Sequence, residues 1–300
     1  MIILNFQNIN ASYSDLQPFF SIRPILSMKA RLSCFFICLF FPGAAFSDEP
    51  VGPPDWMKDI TRLPPGGHAD LRAVELEYTL DWNHRVNAGK VEIAIMRDGP
   101  KKDKFVGDAN GGSTGFARLL FPYDFRARSI VDQDSLRPLT FQLTEKDRSE
   151  ENSYDIIFES KRQIYTTTSK RKTETLSATS RFKFDFGQDV LSSAFYLRGQ
   201  PLKDGDSITM LVTPFNRPYL ASFKVVGRES HEVKGTTYEA IRLDATVGKV
   251  NQDLTIKSYE KIKRTTLWFT DDEYRIPLEL QAHLTFGYVS ARLDEKKWLE

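Results

Sequence analysis

Cysteine is nearly missing. The 300 residues contain two, Cys34 and Cys38, and both fall in an apolar run that reads as a removable leader. The exported body is therefore expected to hold no disulfide, thiolate nucleophile or cysteine metal site, and its stability must come from packing. Charge of one sign is also missing. Taking Arg23, Lys29 and Arg31 from the 41 basic residues leaves 38, and taking Asp15 from the 40 acidic ones leaves 39, a net charge of −1. Such a balance argues against a nucleic-acid partner, which requires a basic surplus on some face. The local surplus from Lys161 through Lys170-Arg171-Lys172 reads as a solvated hairpin whose lysines guard exposed edges.

Catalytic motifs are lacking as well. The four histidines, His68, His84, His231 and His283, show no spacing that would put two ligands on one helix or strand face. Ser192-Ser193 has no partner histidine identifiable by spacing. The stretch Asn110-Gly111-Gly112-Ser113-Thr114-Gly115 has neither the lysine of a phosphate-binding loop nor a G-x-G-x-x-G pattern, and it reads as a flexible turn. No catalytic, metal or cofactor residues are assigned, and the chain is expected not to be an enzyme.

The segments that are present begin with a leader. Met28-Lys29-Ala30-Arg31 is a basic start, Leu32 to Phe41 an apolar core too short to span a bilayer, and Ala45-Phe46-Ser47 a small-x-small cleavage site. Residues 28–47 thus read as a signal peptide cleaved after Ser47, and residues 1–27 as an upstream extension, with translation expected to begin at Met28. Neither cysteine sits in a lipidation context, so the mature chain is expected to be periplasmic and without a transmembrane segment. Residues 48–70, rich in Pro and Gly around Trp56, read as an irregular tether, and residues 71–300 as one β domain.

Period-two alternation dominates that domain. Val74, Leu76, Tyr78, Leu80 and Trp82 share one face of a strand, and Val91, Ile93 and Ile95 repeat the pattern after Asn87-Ala88-Gly89. Further strand-like runs follow from Leu139 to Phe186, and from Ser207 to Phe286. One helix is predicted: Asp189 is a good N-cap, Leu191 and Phe195 lie four apart, and Gly199 with Pro201 ends it. The fold class is therefore mainly β, one strongly curved antiparallel sheet, a half-barrel or barrel-like, with a short covering helix near residues 190–198.

A set of dispersed residues then resembles the DUF3108 family of exported bacterial proteins. They are Leu76-x-Tyr78, Gly89, Leu136-x-Pro138, Asp189-x-Leu191-Ser192 with Leu197-Arg198, Gly205, Gly227-x-Glu229, and Trp268-x-Thr270-Asp271-Asp272-x-x-Arg275-x-Pro277-Leu278. The resemblance implies an envelope protein of mostly antiparallel β structure with no established activity; the region from Lys161 to Thr179 is longer and more basic than the family pattern. The curved sheet and helix also look like periplasmic lipoprotein carriers, a likeness of fold that fixes no function. Two roles are expected. One is a non-enzymatic periplasmic protein holding a lipid or other apolar ligand on its concave face. The alternative is an envelope-assembly protein acting through an edge strand or a polar patch of Asp189, Ser192, Arg198, Asp271 and Arg275. An envelope hydrolase ranks below both, and neither cofactor nor oligomeric state is assigned.

Overall fold

The computed structural model describes residues 54–69, 71–98, 103–260 and 262–299, so the proposed leader lies outside the described residues. Alternation of inward apolar and outward polar side chains carries the described residues through sixteen strands. The first eight form a meander: β1 (Val74–Trp82), β2 (Val86–Asp98), β3 (Lys104–Ser113), β4 (Tyr123–Asp132), β5 (Pro138–Asp147), β6 (Glu150–Phe158), β7 (Gln163–Arg171) and β8 (Glu174–Phe182). Helix α1 (Gly115–Leu120) joins β3 to β4. After the short β9 (Gly187–Gln188) comes α2 (Val190–Arg198). The rest are β10 (Ser207–Val212), β11 (Tyr219–Val233), β12 (Thr236–Val250), β13 (Ile256–Ser258), β14 (Arg264–Thr270), β15 (Pro277–His283) and β16 (Tyr288–Trp298).

All sixteen belong to one sheet. Its order runs from β8 back to β1, then through β16, β15, β14, β12, β11 and β10 to β9, with β13 beside β12. Pairing is antiparallel throughout except between β9 and β10. The sheet curls until its two ends approach each other but does not close. Gln163 of β7 accepts at Oε1 from Thr213 Oγ1, just past β10, at 2.9 Å. The approach depends on Gly187, where an added Cβ would lie 1.9 Å from Gln163 Nε2. Beyond this point β8 remains an unpaired edge, with Glu174 to Arg181 exposed.

Helix α2 sits against the concave face. Phe195 and Leu191 reach β3 at Gly107, where a Cβ would stand 2.9 Å from the Phe195 ring. Phe105 and Phe195 meet edge to face at 6.1 Å. The helix is buried on nearly every side, and each large apolar side chain it contributes stabilises the fold by about 1.5–3 kcal/mol.

The convex face carries a second layer. Strand β12 pairs with β14 only from Ala240 to Ala245, so the far end of the β11–β12 hairpin overhangs its neighbours. A bulge between Val225 and Gly227 bends it, and the arm crosses the outer face until Lys234 reaches Thr79 of β1 and Asp294 of β16.

Three details depart from the sequence expectation. A second helix, α1, exists beside the predicted one. The glycine run at 111–112 is not a turn but the end of β3, because the glycines leave room for the Phe125 ring and neighbouring backbone. Strands β4 and β16 were not read from the sequence at all: the inward positions of β4 include Ala127 and Ser129, which mute the alternation, and β16 ends in the charged run Asp294-Glu295-Lys296-Lys297.

Candidate functional site

The five residues singled out in sequence divide by burial. Asp189, Ser192 and Arg198 are enclosed, Arg275 is half-buried and Asp271 exposed. Asp189 caps α2: its Oδ1 accepts from the backbone N–H of Leu191 and of Ser192, each at 2.8 Å, while Ser192 Oγ accepts from the Asp189 N–H. Its other oxygen accepts from Ser129 Oγ of β4 at 2.6 Å. Burial nevertheless pushes this carboxyl up to about 6, against the pull of those hydrogen bonds.

Arg198 and Arg275 form a reciprocal clasp. The Arg198 guanidinium donates to the Tyr274 carbonyl at 3.0 and 3.1 Å, and that of Arg275 donates to the carbonyls of Arg198 at 3.1 Å and Pro201 at 3.3 Å. Burial lowers Arg198 to about 10, so it stays charged at neutral pH. Two widely separated segments of the family pattern therefore meet to pin the C-terminal end of α2 to the β14–β15 turn. Asp272 shapes that turn, accepting from Thr270 Oγ1 and from the N–H groups of Tyr274 and Arg275.

A different part of the concave face is left partly open. Tyr123 and Phe125 of β4, Glu145 of β5 and Tyr154 of β6 point inward along neighbouring strands. Phe215, from the segment after β10, packs on Tyr154 at 5.4 Å. Glu145 is buried and accepts from the hydroxyls of Tyr123 at 2.9 Å and Tyr154 at 3.0 Å. Burial, followed by the charge of Glu145, pushes both phenols well above their usual range, so they keep their protons and remain donors. Tyr123, Phe125 and Phe215 are only half-buried. The result is an aromatic surface with one anchored carboxylate, a combination suited to holding an apolar ligand and fixing one polar end.

A third cluster lies on the convex face beneath the hairpin arm. Glu279 of β15, fully buried, accepts from His84 Nε2 at 2.6 Å, His231 Nε2 at 3.0 Å and Gln281 Nε2 at 2.8 Å. Burial raises this carboxyl, but the donors outweigh it and hold the group below the ordinary glutamate range. His231 stacks flat on Trp268 at 4.3 Å, and Trp268 Nε1 donates to Glu229 of the arm. Sequence spacing could not reveal this group, because 195 positions separate His84 from Glu279. Among the described residues no three or more His, Cys, Asp or Glu side chains are arranged to hold a metal ion. Nor is any described helix long and apolar enough to cross a membrane.

Comparison with known proteins agrees with this architecture. No curated protein matches the sequence. Among solved structures, the β-barrel-like protein of the domain of unknown function DUF1849 from Brucella abortus aligns with a TM-score of 0.50 and 10% identity, covering 77% of this chain and 99% of its own. That similarity is one of fold. An exported-type protein with a YmcC-like fold from Bacteroides fragilis aligns at a TM-score of 0.30 and 7% identity, covering 77% of this chain and 98% of its own. The model of a protein family of unknown function, DUF3108, matches residues 77–294 and so takes in the meander, the capped helix and the arginine clasp; the chain belongs to the DUF3108 family.

Proposed function

We propose that this is a non-enzymatic protein of the bacterial envelope that holds an apolar ligand, such as an acyl chain, against the open part of its concave face. The observation that carries this reading is the half-buried aromatic group of Tyr123, Phe125 and Phe215 around Glu145 and Tyr154, in contrast to the remainder of the concavity, which α2 occupies. Burying a chain contributes about 0.8 kcal/mol per methylene, so an aromatic surface of this kind retains a lipid without reactive groups. The leader at residues 28–47 supports export.

The test is mass spectrometry of extracts from protein purified without detergent, followed by titration with a fluorescent fatty acid. Wild type is expected to carry lipid and to bind the probe, whereas Phe125→Ala with Phe215→Ala weakens the probe at least about tenfold. Absence of both lipid and probe binding in wild type would refute the reading.

The alternative, an assembly role through edge pairing, is supported by β8. Nine residues long, it carries no charge from Thr175 to Ser180 and contains no proline to blunt the edge. Crosslinking in cells from Ser177 would capture a partner if this role holds.

A further inference from the structure

The meander sends alternate connections to the same rim of the sheet. The β1–β2, β3–β4, β5–β6 and β7–β8 connections lie there, and the β15–β16 turn joins them, since the Asn83 N–H donates to the Tyr288 carbonyl at 3.0 Å. These turns touch in sequence around the rim: the Thr114 N–H donates to the Ala88 carbonyl at 3.1 Å, and Arg148 Nη2 to the Leu119 carbonyl at 2.9 Å.

Two properties separate this rim from the opposite one. The first is exposed apolar surface. Phe116, Leu119, Leu120 and Phe121 project from α1 and its end, with Leu119 71% exposed, and Phe286 in the β15–β16 turn is 82% exposed. Val86 and Leu176, next to two of the other turns, are exposed as well. Scattered apolar residues on a surface need no explanation, but a cluster confined to one rim does. The second is charge. The connections of this rim at 83–85, 114–122, 148–149, 172–173, 213–218, 251–255, 259–260, 262–263 and 284–287 carry Arg85, Arg118, Arg148, Lys172, Arg217 and Lys263 against Asp253 and Glu260, with Arg118 itself paired to Asp124 at 2.8 Å. At the other rim, the connections at 133–137, 159–162 and 271–276 have no basic surplus: Asp134, Glu159, and Asp271 with its two successors stand against Arg137, Lys161, Arg162 and Arg275.

We infer that this rim docks on a lipid bilayer bearing anionic headgroups. Phe116, Leu119, Leu120 and Phe121 enter the acyl region, and the surrounding guanidinium and ammonium groups lie at the level of the phosphates. A rim whose exposed leucines and phenylalanines stand among more cations than carboxylates gains from the surface potential of an anionic bilayer as its apolar side chains enter it. The inference goes beyond the ligand reading and stands without it.

Flotation of the purified protein with vesicles tests it. Wild type is expected to float with vesicles of phosphatidylethanolamine and phosphatidylglycerol, and to float less with phosphatidylcholine alone. Phe116→Ser with Leu119→Ser and Phe121→Ser lowers partitioning to the anionic vesicles at least about tenfold, with an unchanged melting temperature because the side chains are exposed. Arg85→Gln with Arg148→Gln and Lys172→Gln produces a similar loss, which added salt imposes on wild type too. Wild type that stays in the buffer, or a serine variant that floats equally well, overturns the inference. Equal binding to both vesicle types overturns its charge component. Lipid retained by the purified protein is a separate readout, so the failure of either proposal leaves the other intact.

Discussion

Strands β4 and β8 belong to the same sheet and have nearly the same length, yet they inhabit different environments. Inward residues Ala127, Ser129 and Val131 of β4 are buried against the α2 side of the fold, and Ser129 donates to the helix cap. In β8 only Phe182, beside the point where Gln163 draws the two ends of the sheet together, is buried. Backbone ladders hold both strands, but the hydrophobic effect acts on one of them. The sheet thus combines a plugged, tightly wired portion with a wing whose inward residues, such as Leu176, Ala178 and Ser180, pack on no core. Continuous hydrogen bonding therefore does not imply uniform stability.

The largest test of this contrast is Phe195→Ala. Removing the ring that fits over Gly107 and against Phe105 is expected to cost about 3–5 kcal/mol in urea unfolding. Next is Asp189, whose folded value of about 6 lies above the ordinary 3.8. Its ionised form is disfavoured in the folded state, so its contribution is fully present below about pH 4 and lost as pH rises through about 6, roughly 3 kcal/mol in all. Asp189→Asn keeps an acceptor for the helix N–H groups, and its stability relative to wild type should increase across that window; a difference flat with pH contradicts the assignment.

Glu279 should behave in the opposite sense. Its folded value is depressed, so its contribution exists above the ordinary glutamate range and disappears as pH falls through the folded value. Glu279→Gln leaves one of the two histidine donors without an acceptor and is expected to cost about 1–3 kcal/mol near neutral pH, with faster amide exchange in the arm from Arg228 to Val233. The smallest effect belongs to the wing: Leu176→Ser should change stability by no more than about 0.5 kcal/mol, and the β8 amides should exchange far faster than those of β4. Protection of β8 equal to that of β4 would dissolve the comparison.

Much of the plugged portion was legible. Alternation at Val74 to Trp82 and the cap at Asp189 are local patterns, and each specifies its element without reference to the remainder of the chain. Helix α1 was not legible, because six residues are too few to display a repeating period and Thr114 makes no side-chain cap. The aromatic group around Glu145 was missed for another reason. Phe215 meets Tyr154 only because the sheet curls, and no spacing along the chain measures curvature.

Composition and alternation alone determined a mainly β, cysteine-poor body with one capped helix and little bias in charge, since these depend on neighbours within a few residues. Tertiary structure decided which way the sheet rolls, that α2 fills one part of the concavity and leaves aromatics open in another, and that His84 and His231 share Glu279. Those outcomes rest on contacts between residues far apart in sequence, and their energies exist only once the strands have come together.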